Sequence, residues 1–305
     1  MATATAQPDE RVAATGPVAR LLKRPEIGAL IAALAVFLFF ALTTETFATP
    51  AGASTWLQTS STIGIMAVAV ALLMIGGEFD LSAGVMTGFT GLTVGVLTTH
   101  WGLNIWVAIL VALALALAVG ALNGFMVMKT GLPSFIVTLG TFFVLQGIDL
   151  ALVKLIIGQV AIQGMSNVPF YDQPQKIFGS TFAVGGATIH VSVFWWIAVT
   201  IIASWVLMRT RAGNWIFAVG GAQTASRQVG VPVFRTKIGL FMTTAFAGWL
   251  VGMLVLFRTS TVQSNTGIGQ EFIYIICAVV GGCLLTGGYG SAIGAALGAL
   301  IYGMV

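Results

Sequence analysis

The stretch IGIMAVAVALLMI-GGEFDLSAG-VMTGFTGLTVGVL, residues 63–97, places two acidic residues between two apolar runs. Glu78 and Asp80 lie two positions apart, and neither flanking run contains a charged residue. Runs of this composition are typical of membrane-spanning helices, so the acidic stretch at 76–84 interrupts the hydrophobic pattern. An ionisable acid within the membrane costs free energy, so acids in such surroundings usually serve a function.

The composition of the chain is typical of an integral membrane protein. Hydrophobic residues make up 58% of the 305 residues and charged residues 7%, against about 25% charged residues in soluble domains. The 38 glycines suit close helix contacts and breaks inside spans. Backbone in lipid must satisfy its own hydrogen bonds, and the alternating pattern of a membrane barrel is absent from the sequence. The sequence therefore predicts an all-α, polytopic integral membrane protein.

About nine helices are predicted in this chain, one for each apolar stretch. The stretches lie near residues 27–43, 57–76, 83–99, 104–128, 133–152, 191–208, 238–257, 271–287 and 289–305. Residues 1–26 are polar and rich in Ala and Thr, which predicts a disordered cytoplasmic tail ahead of a transmembrane domain over residues 27–305. Because the chain stops within the hydrophobic run GALIYGMV, we expect one further span and hence a truncated C-terminus.

The basic residues predict the orientation in the membrane. With a cytoplasmic N-terminus, the inner segments are 1–26, the turn at Lys129 and the loop 209–237, which hold four, one and five of the thirteen basic residues. The outer segments hold Lys154, Lys176 and Arg258. Since positive charge gathers on the cytoplasmic side, we expect a cytoplasmic N-terminus and a long outer loop at 153–190.

The acidic stretch admits three explanations. Asp80, followed by Leu81 and Ser82, is positioned to cap the next helix, because an acid favours a helix N-terminus. The stretch also suits a conformational hinge, and a pair of intramembrane acids suits ion coupling or acid–base catalysis. The stretch falls at the cytoplasmic end of the second predicted span, near water, so capping and packing are favoured and catalysis comes last.

No enzyme signature accompanies these acids. The chain contains no HExxH, GxSxG or Walker sequence, so no catalytic residue is assigned and ATP hydrolysis is expected on another subunit. His100 and His190 each stand alone at a predicted span end. Cys277 and Cys283 lie off one helical face, which favours two buried thiols over a disulfide or a metal site. The basic residues form no dense tract with aromatics, so no nucleic-acid partner is expected.

The basic loop RTRAGNWIFAVGGAQTASRQVGVPVFRTK, residues 209–237, contains a short helical stretch of small residues ahead of Gly230 and Pro232. Such a helix is too short to be stable alone, which makes it a plausible docking element for a partner. An ordinary basic cytoplasmic loop is the alternative, and composition alone favours it.

Two stretches of the chain resemble each other, AVAVALLMIGGEFDLSAG from Ala67 and AVVGGCLLTGGYGSAIG from Ala278. Many transporters are built from internal repeats, with binding sites where the repeats meet. Glycine-rich helices also produce such likeness by chance, and the sequence leaves both explanations open.

Four motifs together resemble the permease subunit of ribose-type, monosaccharide ABC importers of the branched-chain permease superfamily. They are GGEFDLSAG at 76–84, TLGTFFVLQG at 138–147, AVGGAQTASRQVGVPV at 218–233 and AVVGGCLLTGGYGSAIGAALGALIYG at 278–303. They occur in family order and cover most of the chain from residue 60 onward. The resemblance implies a ten-helix, multi-pass permease of the bacterial cytoplasmic membrane, surrounded by lipid, that binds no cofactor itself. It also implies a cytoplasmic subunit that binds ATP and Mg, an extracytoplasmic sugar-binding protein, and a second permease copy.

The resemblance assigns the ATPase-docking loop to Gln223, Thr224, Ala225, Arg227 and Gly230. The chain departs from the family here, because Gln223 and Thr224 replace the family's usual acid and alanine. A docking role that requires a negative charge is therefore not expected. In TLGTFFVLQG the family often has Arg at the position of Gln146, so no charge contact is assumed there.

Together these features predict a permease subunit that forms the pathway for a ribose- or xylose-like monosaccharide, driven by ATP. A neutral polyol requires hydrogen-bonding groups and aromatic surfaces, and specificity is expected mainly in the separate binding protein. The candidate pathway or hinge residues are Glu78, Asp80, Ser82, Thr87, Asn123, Phe142, Phe143 and Gln146. The alternatives are an ion-coupled secondary transporter, in which Glu78 or Asp80 carries the proton, and a membrane-embedded enzyme.

Overall fold

The computed structural model describes residues 25–305. The tail expected at residues 1–26 lies outside the described residues, except that the first described helix already begins at Pro25. Twelve α-helices carry most of the fold in this range. They are α1 (Pro25–Thr43), α2 (Pro50–Ile75), α3 (Ala83–Thr99), α4 (Ile105–Thr130), α5 (Ser134–Ile157), α6 (Asp172–Phe178), α7 (Val191–Arg209), α8 (Arg211–Gly221), α9 (Gln223–Gln228), α10 (Val233–Thr259), α11 (Gln270–Val280) and α12 (Ala292–Met304).

Six of these helices are long and apolar enough to cross a membrane, namely α1, α2, α4, α5, α7 and α10. Three further apolar helices, α3, α11 and α12, have only 17, 11 and 13 residues. A 17-residue helix is about 25 Å long, at the lower limit for a span, and the other two are shorter. The prediction of a helical membrane protein is confirmed, whereas the number of helices that span the bilayer stays a prediction.

The last two helices are shorter than the sequence indicates. Helices are predicted over 271–287 and 289–305, but residues 281–291 form a non-helical connection between α11 and α12. Gly282, Gly287 and Gly288 have φ angles of +92°, +82° and +73° in this connection. Glycine adopts such angles without steric cost, so Gly282 helps to end α11, and Gly287 and Gly288 keep the following connection non-helical despite their apolar neighbours.

The all-α prediction misses two small antiparallel sheets. Strand β1 (Ala161–Ile162) pairs with β4 (Val262–Gln263), although the two are a hundred residues apart in sequence. Strands β2 (Thr181–Val184) and β3 (Ala187–His190) form a hairpin whose two-glycine turn has positive φ, as a tight hairpin requires. Strands of two to four residues are too short for an alternating pattern to identify.

Helices α2 and α10 form the centre of the molecule. Their most apolar windows are 83% and 78% buried, against 11–33% for the other four long helices. Helix α10 packs against α2, α3 and α4, and α2 also packs against α7, α11 and α12.

A glycine face on α3 accommodates the segment that leads into α11. This segment, residues 261–269, is called the strap. A Cβ atom at Gly88 would lie 2.5 Å from the carbonyl oxygen of Thr266, and one at Gly84 would lie 2.5 Å from that of Gly267. The glycines on this side of α3 are Gly84, Gly88, Gly91 and Gly95. Any side chain larger than hydrogen at Gly84 or Gly88 would displace the strap.

Candidate functional site

The acidic stretch is a break between two helices. We call residues 76–82 the first break. Helix α2 ends in a glycine cap, in which the N–H of Gly77 donates to the carbonyl of Met74 at 2.9 Å and that of Glu78 to the carbonyl of Leu73 at 3.2 Å. Gly77 has a φ of +80°. This is the Schellman arrangement that ends many helices, and it requires a left-handed residue at this position.

Side chains of α5 satisfy the backbone of the first break. The N–H of Phe79 donates to Ser134 Oγ and the N–H of Leu81 donates to Thr138 Oγ1, both at 3.0 Å. Non-helical backbone within a membrane protein requires such partners because lipid offers none. Ser134 and Thr138 lie four residues apart, on one face of α5, so a single helix face supplies both acceptors.

Asp80 connects the first break to α10. Its side chain is 3% exposed. Oδ1 accepts from the backbone N–H of Ser82 at 2.9 Å and from the Ser82 hydroxyl at 2.6 Å, and Oδ2 accepts from Thr244 Oγ1 at 3.0 Å. Ser82, rather than Asp80, occupies the N-cap position of α3, and its own side chain makes no capping bond. Asp80 therefore holds the N-cap residue in place and also joins it to α10.

A chain of neutral polar groups continues from Ser82 to two further helices. The side-chain amide of Asn123, on α4, donates to Ser82 Oγ at 3.0 Å. Thr141 Oγ1, on α5, donates to Asn123 Oδ1 at 2.6 Å. Asn123 is fully buried. Residues Thr244, Asp80, Ser82, Asn123 and Thr141 thus form one hydrogen-bonded series, called the polar chain, that joins four elements.

Glu78 faces a cation that the sequence analysis did not assign to it. Its carboxylate forms an ion pair with the ammonium group of Lys237, on α10, and the two residues are 8% and 4% exposed. Lys237 also donates to the side-chain oxygen of Gln223, on α9, at 2.8 Å. Glu78 therefore has a structural partner in the core, which the sequence analysis did not identify. The signal that was available is the position of Lys237, which falls at the junction of the basic loop and an apolar run.

The second glycine-rich stretch repeats the cap of the first. We call residues 281–291 the second break. The N–H of Gly282 donates to the carbonyl of Val279 at 2.8 Å, and the N–H of Cys283 donates to the carbonyl of Ala278 at 3.0 Å. These are the same three-residue and five-residue separations as at the end of α2. Each break also ends in a serine at the N-cap of the next helix, Ser82 or Ser291. The likeness seen in sequence therefore has a counterpart in backbone structure.

The two breaks contact each other and α8. The N–H of Gly288 donates to the carbonyl of Ile75 at 2.8 Å. A Cβ at Gly287 would lie 2.7 Å from Gly77 Cα, and one at Gly220, in α8, would collide with the carbonyl oxygen of Ile75. Backbones meet directly at this junction because glycine supplies no side chain to separate them.

The docking residues expected from the resemblance lie on and beside α9. Gln223, Thr224, Ala225 and Arg227 belong to this six-residue helix, and Gly230 follows it with a φ of +83°. Thr224, Ala225 and Arg227 are exposed, whereas Gln223 is half-buried. The only buried residue of α9 is Ser226. This short helix thus presents mostly exposed residues, and the preceding helix α8 is amphipathic along its 11 residues.

Residues from both expected cytoplasmic segments line one cavity. It has a volume of about 540 Å³ and includes the turn around Lys129 together with Glu78, Gln223, Arg227 and Lys237. The turn at Lys129 and the loop 209–237 therefore lie on the same side of the molecule. On the other side, Arg258 lines a small cleft with His190 from the long loop. Burial, together with the charge of Arg258, lowers the pKa of His190.

The remaining pathway candidates are not gathered in one place. Thr87 is buried on α3, where its hydroxyl donates to the carbonyl of Gly84 at 2.8 Å. Phe142 is buried on α5, whereas Phe143 is 60% exposed and Gln146 is half-buried. The structure thus brings Asp80, Ser82 and Asn123 together and places Glu78 in a separate ion pair. Phe143 and Gln146 lie on α5 and take no part in this hydrogen-bonded group.

Two buried acids were missed by the sequence analysis. Asp149, on α5, is 1% exposed, and neither carboxylate oxygen has a hydrogen-bond partner among the described residues. It lies beside Gly88, where an added Cβ would be 3.5 Å from Asp149 Oδ2. Glu271, one helical turn along the same glycine face at Gly84, accepts the N–H of Gly269 at 3.0 Å. The available signal was a lone acid inside the apolar run 133–152.

The described residues contain no group of three or more His, Cys, Asp and Glu side chains that could hold a metal ion. Cys277 and Cys283 are both free and buried. The buried acids Glu78, Asp80 and Glu271 bind ammonium, hydroxyl or backbone N–H groups. These bonds connect the first break to α10 and the strap to α11.

Comparisons with known proteins agree with this description. The family described as "Branched-chain amino acid transport system / permease component" matches residues 52–305. The chain is 31% identical over 250 residues to the ribose import permease protein of Escherichia coli, covering 82% of this chain and 74% of the relative. It is 30% identical over 279 residues to the autoinducer 2 import system permease protein of an Enterobacter species, covering 92% and 77%. It is also 30% identical over 293 residues to the xylose/arabinose import permease protein of Sulfolobus acidocaldarius, covering 93% and 77%.

No solved structure matches the chain. The family match extends over both breaks, the polar chain and the α9 region, and the three relatives align along most of their own length. A multi-pass inner-membrane location follows from the family and from the long apolar helices. The chain therefore belongs to the branched-chain amino acid transport system permease family, and it is a permease subunit of an ABC importer rather than an enzyme.

Proposed function

We propose that this chain forms the membrane pathway for a ribose- or xylose-like monosaccharide, and that the first break and the polar chain are the part of the pathway that changes during transport. The observation that carries the proposal is the hydrogen-bonded series from Thr244 to Thr141. Its members after Asp80 are hydroxyls and an amide, which match the hydroxyls of a neutral sugar in both donor and acceptor capacity.

The substrate class is supported by the relatives, whose names describe import of ribose, xylose or arabinose, and autoinducer 2. A pathway needs weak, exchangeable contacts, because strong binding would slow release. Hydroxyl and amide groups provide such contacts, and we therefore assign the choice of sugar mainly to the extracytoplasmic binding protein. Thr87, Phe142, Phe143 and Gln146 remain candidates for contact with the sugar at other points of the pathway.

The transport cycle requires partners. An ABC permease works with an ATP-binding subunit, which carries ATP and Mg, and with a sugar-binding protein outside the membrane. We propose that the ATPase docks on Gln223, Thr224, Ala225, Arg227 and Gly230. We further propose that a second permease copy completes the pathway, and that lipid covers the other apolar faces.

The orientation and extent of the membrane domain are also proposals. The N-terminus lies in the cytoplasm, residues 27–305 form one membrane domain, and the nine apolar helices of this chain are part of a ten-helix permease. The shared cavity of the Lys129 turn and the 209–237 loop supports this orientation, because it puts Lys129, Arg227 and Lys237 on one side.

Reconstitution tests the proposal. The permease, the ATP-binding subunit and the binding protein are incorporated in liposomes, and uptake of radiolabelled ribose, xylose, arabinose and fructose is measured with and without ATP. ATP-dependent uptake of at least one of these sugars is expected. Uptake by the permease alone, driven by a proton gradient, would instead support the ion-coupled alternative.

A docking variant sharpens this test. Trp at Ala225 should block contact with the ATPase, so Ala225→Trp is expected to lower its co-purification while the permease still inserts. Leu155→Trp is the matched control, because Leu155 is 84% exposed at the far end of α5. Equal recovery of the ATPase with both variants would contradict the assignment of α9.

A further inference from the structure

We propose that Lys237 transmits movement of the ATPase-docking helix α9 to the first break, an inference that rests on the transport function proposed above. The ammonium group of Lys237 binds the Glu78 carboxylate of the break and the Gln223 side chain of α9. One side chain on a central helix is thus hydrogen-bonded both to the surface element that a partner would move and to the element that would open.

The placement of Lys237 suits this role. It lies in the first turns of α10, one of the two most buried helices, and is 4% exposed. An ammonium group has three donors, and Glu78 and Gln223 use two of them at once. Because the group is buried, neither partner can be lost without leaving polar atoms unpaired, so displacement of one is felt by the other.

Gln223 connects α9 to the buried ion pair of Glu78 and Lys237. Among the described residues, its bond to Lys237 is the only side-chain hydrogen bond made by any residue of α9. The helix has six residues and only Ser226 is buried, so it is held by few contacts of its own. A helix held this weakly moves with whatever docks on it, and Gln223 carries that movement to Lys237.

Stability alone gives a weak reason for this ion pair. A buried pair is often no more stabilising than two apolar residues of the same size, although removal of one partner is strongly destabilising. Glu78 and Lys237 are 159 positions apart and lie on different elements. A pair that joins α10, the first break and α9 therefore has a use that an apolar contact would lack, because an apolar contact would not bind Gln223.

The test separates coupling from stability by comparing single and double variants. The complex of permease, ATPase and binding protein is reconstituted, and sugar uptake and ATP hydrolysis are measured together, with the probe sugar that the wild-type complex imports. Lys237→Met leaves the Glu78 carboxylate unpaired, and we expect a lower melting temperature. Glu78→Met/Lys237→Met replaces the ion pair by two apolar side chains of similar size, and we expect the melting temperature to recover.

The proposal predicts that the double variant still transports fewer sugars per ATP, by roughly 5-fold or more, since the bond to Gln223 is gone. A merely structural ion pair predicts that uptake per ATP recovers with the melting temperature, and that result would overturn the proposal. Arg235→Met is the matched control, because Arg235 is an exposed cation on the same helix with no hydrogen bond to the first break. Arg235→Met should keep the wild-type ratio of sugar imported to ATP hydrolysed.

A second variant keeps the proposal testable if the double variant fails to assemble. Gln223→Leu preserves the ion pair and removes only the link from α9. Because Gln223 also belongs to the proposed docking surface, uptake and ATP hydrolysis are compared in complexes that contain equal amounts of ATPase. We expect uptake per ATP hydrolysed to be lowered again roughly 5-fold or more. A wild-type ratio in Gln223→Leu would refute the route through Gln223. Absence of ATP-driven uptake in the wild-type complex would instead refute the proposed function, and the coupling role would fall with it.

Discussion

The backbone N–H of Gly288 donates a 2.8 Å hydrogen bond to the carbonyl oxygen of Ile75, the last residue of α2. The bond joins the second break to the point where the first break begins. Carbonyl groups at a helix C-terminus have no partner within their own helix. Gly288 supplies one from a segment more than two hundred residues away, so the two breaks are parts of one junction.

The first prediction concerns the glycine of α8 that enters this junction. In Gly220→Ala the added Cβ would collide with the Ile75 carbonyl and lie 2.7 Å from the Gly288 nitrogen. Overpacking of this kind costs about 1–3 kcal/mol. We expect a lower melting temperature of the purified complex and lower recovery of the ATPase.

Gly221→Ala is the matched control, since a Cβ at Gly221 has no atom within 4 Å. It should melt like the wild type. Equal melting of both variants would show that α8 does not rest on the end of α2.

The second prediction concerns Asp80, which accepts three hydrogen bonds from Ser82 and Thr244. Asn retains a carbonyl oxygen that can bind the Ser82 N–H, so Asp80→Asn should keep most ATP-dependent uptake. Asp80→Leu leaves buried donors unpaired, which costs about 1–3 kcal/mol, and should lower melting temperature and uptake together.

The matched control for Asp80→Leu is Asp172→Leu, because Asp172 is an exposed acid on α6. If Asp80→Asn abolishes uptake in a complex that melts and assembles normally, the role of Asp80 depends on its charge rather than on its hydrogen bonds.

The third prediction concerns Asp149, whose carboxylate oxygens have no partner among the described residues. A buried polar group without a partner destabilises the fold by about 1–3 kcal/mol. Asp149→Val removes this group at similar volume and should raise the melting temperature while lowering uptake, as expected of an acid retained for function.

Asp172→Val should change neither quantity. A fall in melting temperature for Asp149→Val, with normal assembly, would indicate that the carboxyl has a stabilising partner in the complex.

The fourth prediction concerns orientation. Lys176 and Thr224 are both exposed, one in the long loop and one on α9. In a background in which Cys277 and Cys283 are replaced by Ala, an impermeant thiol reagent should label Lys176→Cys in intact cells and should not label Thr224→Cys. The reverse pattern would invert the proposed topology, and membrane disruption should allow both sites to react.

The sequence predicts those parts of the fold that depend on local composition. Every predicted apolar stretch contains a helix of the structure, because a run of apolar residues in lipid has few alternatives. The acidic stretch was recognised as a helix boundary from the same pattern. The position where α11 ends was not, since its apolar neighbours hide the effect of Gly281 and Gly282.

The candidate site was harder to predict because its contacts are distant in sequence. Glu78 and Asp80 were identified, but their partners Lys237 and Thr244 lie about 160 positions away. Charge patterning counted Lys237 among the loop residues, although burial makes it part of the core. Ser134 and Thr138 carry no signal at all, because a hydroxyl on an apolar helix commonly bonds to its own backbone.

The polar chain has a consequence for the hydration of the helix contacts that it joins. Thr244, Asp80, Ser82, Asn123 and Thr141 seal the contact between helices through hydrogen bonds rather than through apolar packing. Water molecules can take over such bonds with little loss of enthalpy, whereas water that enters an apolar contact gains no partner. If these helices separate in the proposed transport cycle, hydration of the contact therefore costs little free energy, because the same hydroxyl, carboxylate and amide atoms can bind water instead of each other.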